Sequence, residues 1–223
     1  GGRSARLLDW LPRVYQFIRP SHNRDWEEPH ARTAYAKVSG DTVTIHNFRS
    51  FDYEADGLPI GHWNMRSFDL ANLRSMDFFM THWDTEMEGH PIFSFDFGPQ
   101  GHLAFTIEAR MQKGESYSLP AGLYRQIELF YIPCEESEAI RIRTKFRKNE
   151  NVHIYLTIAT PEPARKRFLE FIASMNEIRE RPRFYNIVTF NCTTAVRSQM
   201  TDSFPMDWRV IFNDQLDELR KRF

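Results

Sequence analysis

Two stretches of strict alternation, Gly89-His90-Pro91-Ile92-Phe93-Ser94-Phe95-Asp96-Phe97 and His102-Leu103-Ala104-Phe105-Thr106-Ile107-Glu108, flank the turn residues Gly98-Pro99-Gln100-Gly101. Alternation of apolar and polar residues is the period of a half-buried strand, so the pair predicts a β-hairpin. Phe93, Phe95 and Phe97 share one face and must meet Leu103, Phe105 and Ile107 across the pair. A slip of one residue would turn every apolar side chain of one strand to the wrong side. An odd number of loop residues, such as Gly98 to Gln100, satisfies the match and sets His90 directly opposite Glu108. A carboxylate beside an imidazole fixes its tautomer and supports its charged form, which suits a general base acting on a thiol. The same pattern also fits a half-exposed strand carrying ordinary surface polar residues.

The candidate thiol is Cys192, in Asn191-Cys192-Thr193-Thr194, where an extended segment from Phe184 to Phe190 gives way to a helix through Ala195, Val196 and Met200. Unpaired N–H groups and the helix dipole favour a thiolate at a helix N-terminus. A lone cysteine is otherwise a small buried hydrophobe. Asn191 is either the helix N-cap or a donor to an oxyanion, and Tyr185 is either a second such donor or a core aromatic.

Five motifs occur in order: Val43-Thr44-Ile45-His46-Asn47-Phe48-Arg49-Ser50-Phe51-Asp52-Tyr53; Gly89-His90 with Ser94-Phe95; Ile107-Glu108-Ala109-Arg110; Gly122-Leu123-Tyr124-Arg125-Gln126-Ile127-Glu128-Leu129; and Phe184-Tyr185-Asn186 with Asn191-Cys192-Thr193-Thr194. From about Asp25 to Asn213 the chain resembles the DUF4105 family, which includes the Lnb-type lipoprotein N-acyltransferase of Bacteroides and is similar to permuted NlpC/P60, papain-like thiol enzymes. The resemblance implies an α+β, permuted papain-like (NlpC/P60-like) domain whose antiparallel sheet packs against the nucleophile-bearing helix. It also implies Cys192 as nucleophile, His90 as base and Glu108 as its orienting group. The implied activity is acyl transfer through a Cys192 thioester, with a diacylated lipoprotein or phospholipid as substrate at a membrane surface. A cell-wall peptidase or amidase and a catalytically silent binding domain are the alternatives. The family implies the periplasmic face of a bacterial membrane, with an anchor ahead of the domain.

With 29 basic against 30 acidic residues, no net-charge-dominated nucleic-acid surface is expected. The 41% hydrophobic content over 223 residues suits one catalytic domain, expected over 25–223, behind an N-terminal amphipathic or linker segment at 1–24 that contains Leu7, Leu8, Leu11 and Val14 around Trp10. No run of membrane-spanning length occurs. Of the two cysteines, Cys134 is expected to be structural and Cys192 free.

Further strands are expected near Val43–Phe51, Met76–His82, Ile140–Phe146 and Val152–Thr157, and Leu123–Ile132 fits either helix or strand. Around the third of these, Arg141, Arg143, Lys145, Arg147 and Lys148 form a basic alternation with Ile140, Ile142, Thr144 and Phe146, giving a solvated basic face or one that meets anionic head groups. Phe168, Leu169, Phe171, Ile172, Met175 and Ile178 trace a helical stripe between Pro163 and Glu180, and Asp207 is a candidate cap for a last helix. The eight histidines include no His-Glu-x-x-His, and His22, His30, His46 and His62 have polar surroundings typical of a surface. No metal or other cofactor is expected, and no Gly-x-Ser-x-Gly elbow is present.

Overall fold

The computed structural model describes residues 19–54, 59–82, 89–114, 127–146, 150–155 and 160–185. In chain order these form strands β1 (Tyr35–Ser39), β2 (Thr42–Tyr53), β3 (Pro59–Asp69), β4 (Ser75–His82), β5 (Gly89–Asp96), β6 (His102–Arg110), β7 (Glu128–Glu135) and β8 (Asn151–Tyr155), with helices α1 (Glu136–Arg141) and α2 (Pro161–Glu180). Cys192, Asn191, the stretch around Trp10 and the helix expected after Asp207 lie outside the described residues.

The hairpin β5–β6 has the register that its pattern demands: Ile92 pairs with Thr106, Phe93 with Phe105 and Asp96 with His102. Around it the strands form one sheet in the order β1-β2-β7-β6-β5-β4-β8, with β3 on β2. The sheet is mixed, where an antiparallel one was expected. β7 is antiparallel to β6 along its length and meets β2 in parallel at Cys134 and Arg49, because it enters between two strands that run in opposite directions. The segment that was ambiguous is therefore a strand from Glu128 onward, buried from Glu128 through Cys134 as befits a position inside the sheet.

Helix α2 starts at Pro161, whose fixed φ and missing N–H suit a first helical position, and it stops ahead of Pro182 with Arg181 already extended at φ −132°. Its stripe covers one face of the sheet. Phe171 stacks on Phe105 at 5.1 Å and meets Phe93 at 5.1 Å, while Phe168 makes edge contacts with Phe95 at 5.3 Å and Phe97 at 5.1 Å. Burying rings of this size is the dominant apolar gain of the fold.

The opposite face is also covered, so β5 and β6 are not half-exposed. There Phe79, Ile92, Ala104, Phe130, Ile132 and Cys134 pack beneath Ala139 and Ile140. The cover is the segment read as a strand near Ile140–Phe146. It is instead α1 continued by a π-helical turn, Ile142–Phe146. Alternation of Ile, Thr and Phe with Arg and Lys imitates a strand, but the segment has an interior to cap. Arg143 is 1% exposed and Arg141 is paired with Asp52 at 2.9 Å, so among the described residues these two arginines do not share a solvated basic face.

The residues ahead of β1 are pinned to the sheet by Arg110. Its guanidinium lies 4.0 Å from the centre of the Trp26 ring and 4.8 Å from that of Phe130, and donates to the carbonyls of His30 and Ala31. Burial brings the Arg110 pKa down to about 10. His22 and His30, expected on the surface, are both engaged: His30 is buried and its Nδ1 accepts from the Met111 amide, while His22 bridges Arg110 and the carbonyls at the end of α2. Arginine can only donate, so His22 Nδ1 accepts from it at 3.1 Å and Nε2–H faces Ile178 O and Arg179 O. Protonating Nδ1 would set an N–H against the guanidinium. Burial, then Arg110, accordingly holds the His22 pKa below its ordinary value.

A folded-state pKa below the unfolded one means that the unfolded chain binds the proton more readily. The His22 contribution is thus complete above about pH 6.5 and is lost as the pH falls from there through the folded-state value. His22→Gln can both accept from Arg110 and donate to the α2 carbonyls without titrating. The stability difference between wild type and His22→Gln, from urea unfolding, should shift against the wild type between pH 7.5 and 5.5; a difference that stays flat over that interval refutes the linkage.

Candidate functional site

Strand β2 carries the first part of the site through a one-residue bulge. Val43 and Ile45 point into the α2 interior, and simple alternation would send Asn47 and Arg49 after them. The register with β3 instead shifts between His46 and Phe48, where Asn47 has φ 54° and its side-chain amide donates to Thr33 O at 3.0 Å. Asparagine tolerates this left-handed conformation better than most residues. After the bulge Phe48 takes the α2 interior and Arg49 turns to the α1 face, where its Nε is 2.6 Å from Glu138 Oε1. Glu138 also accepts from the Phe51 amide at 3.0 Å. Burial pulls the Arg49 pKa down, but the Glu138 carboxylate and weaker neighbours outweigh it and leave Arg49 above its ordinary value. Burial pushes the Glu138 carboxyl up, against the pull of Arg49.

On the same face the hairpin delivers His90, Thr106 and Glu108. His90, 8% exposed, has Nε2 at 2.5 Å from Thr106 Oγ1 and 3.8 Å from Glu108 Oε1. Thr106 donates to Glu108 Oε1 at 3.1 Å. From the π-helical turn, Arg143 Nη2 donates to the same Glu108 oxygen at 2.8 Å, while Nη1 donates to Ala139 O at 2.9 Å and Nε lies 3.9 Å from Glu150 Oε2. Nearby, Ser94 donates to Glu136 at the start of α1 at 2.5 Å. Cys134 is fully buried beside these groups, and burial, then Glu138, pushes its thiol well above the ordinary value. It is a structural thiol, as the sequence suggested. Among the described residues no group of three His, Cys, Asp or Glu side chains stands close enough to hold a metal ion.

His90 and Glu108 are therefore brought together, with Thr106 closer to the ring than the carboxylate is. Tyr185 is buried against the α2 interior, its amide donating to Ile127 O at 2.8 Å, and Phe184 bridges Glu128 at the end of β7. The described residues thus reach Tyr185 beside the start of β7, and Asn191 and Cys192 lie outside them. Thr106 and Arg143 were missed as site residues. Thr106 stands on the same face of the alternating pattern as His90 and Glu108, a signal already present in the hairpin. Arg143 was assigned to a solvated strand face, and no local pattern distinguishes that from a buried partner.

The model of the Lnb N-terminal periplasmic domain matches residues 61–214, more than half of the chain. The chain belongs to this family. It is a bacterial, periplasmic family, and its matched range in this Lnb-type domain holds His90, Glu108, Arg143 and Cys192, whereas β1 and all of β2, with Arg49, precede it. No curated protein and no solved structure matches the chain. Among the described residues of the domain no helix is long and apolar enough to cross a membrane.

Arg49 and Glu138 tie β2 to α1 from opposite sides of the family boundary. Removing one partner of a buried pair strands the other charge and costs about 3–5 kcal/mol. Arg49→Met should lower the unfolding free energy by about that amount. The double variant Arg49→Met/Glu138→Gln keeps an acceptor for the Phe51 amide and should recover most of the loss in chemical denaturation.

Proposed function

We propose that this domain is a cysteine-dependent acyltransferase on a permuted NlpC/P60-like, papain-like scaffold, acting in bacterial lipoprotein N-acylation. Cys192 is the nucleophile, His90 its general base and Glu108 the group that orients the base. His90 takes the thiol proton as sulfur attacks an ester carbonyl of a phospholipid or diacylated lipoprotein. The proton then passes to the departing alkoxide, leaving a Cys192 thioester. An α-amino group attacks the thioester, its proton goes to His90, and the thiolate leaves and is reprotonated. The Cys192 amide is a candidate donor to the oxyanion, with Asn191 or Tyr185 as the second.

The observation that carries this reading is a buried imidazole hydrogen-bonded at 2.5 Å to a hydroxyl that is itself bonded to an arginine-held carboxylate. Surface histidines are not built into such an assembly. Covalent reach also supports it. Cys192 follows Tyr185 by seven residues, which span at most about 25 Å. The direct distance from Tyr185, opposite Ile127, across β7 and β6 to His90 is about 18 Å by strand spacing.

The test is incubation with a diacyl lipopeptide and phospholipid vesicles, followed by mass spectrometry of the peptide. Wild type should add one acyl mass, Cys192→Ser should add none, and His90→Ala should be slowed about 100-fold or more. Full acylation by Cys192→Ser overturns the proposal. Cleavage of muropeptides without any mass gain on the lipopeptide would replace it with the peptidase reading.

A further inference from the structure

The order of donors and acceptors around His90 is not arbitrary. Arg143 has only donors, and its Nη2 lies 2.8 Å from Glu108 Oε1, so that oxygen is an acceptor, and the guanidinium beside it favours the ionised carboxylate. Thr106 has a single hydroxyl proton, directed at the same oxygen at 3.1 Å. Its oxygen also accepts from Arg143 Nη2 at 3.5 Å, which leaves a lone pair for His90 Nε2 at 2.5 Å, and Nε2 then carries the proton that makes this bond. The neutral imidazole is thus the Nε2–H tautomer, with the basic lone pair on Nδ1.

We propose that Arg143 is a positioning residue, which holds Glu108 ionised and the Thr106 hydroxyl turned toward Glu108, and so keeps His90 in the Nε2–H tautomer with Nδ1 as its basic atom. The role of that atom as base rests on the acyl-transfer reading, but the tautomer does not. The π-helical turn is the device that presents the arginine. Its widened backbone leaves the Ala139 and Ile140 carbonyls to accept from the Arg143 and Thr144 side chains, at 2.9 and 3.0 Å, and so clamps the guanidinium over β6. The other ionisable groups on this face have partners of their own: Glu150 lies beside Arg143, Glu136 accepts from Ser94, and Arg49 pairs with Glu138.

The experiment is a ring-nitrogen NMR titration of the domain carrying ¹⁵N-labelled histidine, with His90 assigned by its absence in His90→Gln. Wild type and Arg143→Lys should both show the Nε2–H tautomer above the titration. In Arg143→Met the cation opposing imidazolium is gone, so the His90 pKa should rise by about one unit or more. Arg143→Lys, which restores the charge but not the fork, should fall between the two. Because Arg143→Met strands a buried carboxylate, the same comparison is made between Glu108→Gln and Glu108→Gln/Arg143→Met, where the arginine is removed without leaving an anion. His90 titrating alike with and without Arg143 in a folded background, or a wild-type Nδ1–H tautomer, overturns the proposal. Either result stands apart from the acylation assay, which depends on Cys192 and can fail while the tautomer holds.

Discussion

The backbone at Asn47 lies in the left-handed region, and the direction of every β2 side chain after it follows from that turn. A strand has two faces and a period of two, so β2 cannot place Val43, Ile45 and Phe48 in one interior and Arg49 in the other without an extra residue. Without the bulge, Arg49 would enter an interior lined by phenylalanines, with no carboxylate to meet it. A buried, unpaired charge of this kind costs several kcal/mol, a large fraction of the stability of a typical domain. The bulge moves the cost to one left-handed asparagine whose side chain is bonded to Thr33 O. Glu138, and with it α1, can then dock against β2.

The two interiors this creates are chemically different. Beneath α2 the contacts are aromatic and aliphatic, and their energy is set by area and packing. Beneath α1 a smaller apolar patch around Ile92, Ala104 and Cys134 is bordered by Arg49, Glu138, Arg143, Glu108 and His90. Buried ion pairs add little net stability over well-packed apolar residues, so the charges on this side are weak evidence for a stability role. What they supply is geometry, because a guanidinium fork shared between a carboxylate and a helix carbonyl admits few orientations. His90 sits at the end of that assembly.

Much of this arrangement is legible in the chain. The Phe93–Phe97 and Leu103–Ile107 alternation dictates the hairpin register, because a one-residue slip would set the rings of one strand against the polar side chains of the other; the apolar stripe from Phe168 to Ile178 likewise marks α2. The polar face of the hairpin was harder. Its histidine, serine, threonine and glutamate resemble a solvated surface unless one knows that a helix returns to cover them. That helix was misread for a related reason. Ile140, Ile142, Thr144 and Phe146 have the period and β-branching of a strand, while the interactions that hold Arg143 come from β6, distant in sequence. His30 and His22 were misplaced on the surface because Arg110 reaches them from the far side of the chain. In each case the missing information is a long-range partner for a polar residue, whereas apolar periodicity is local.

The second interior also bears on which of the two cysteines can act. A thiol becomes a nucleophile where its anion is stabilised and reachable, at a helix N-terminus or beside a cation and in contact with solvent. Cys134 has the cations Arg49 and Arg143 nearby, yet burial and the Glu138 carboxylate outweigh them and keep its thiol protonated. It is also wholly enclosed between β6, β2 and α1, so no carbonyl carbon of a substrate can approach its sulfur. The fold thus supplies an imidazole held by hydroxyl, carboxylate and guanidinium, while the cysteine on the same face of the sheet is excluded by desolvation. Thiol chemistry at His90 therefore requires a sulfur brought in by another segment, and Cys192 is the remaining cysteine of the chain.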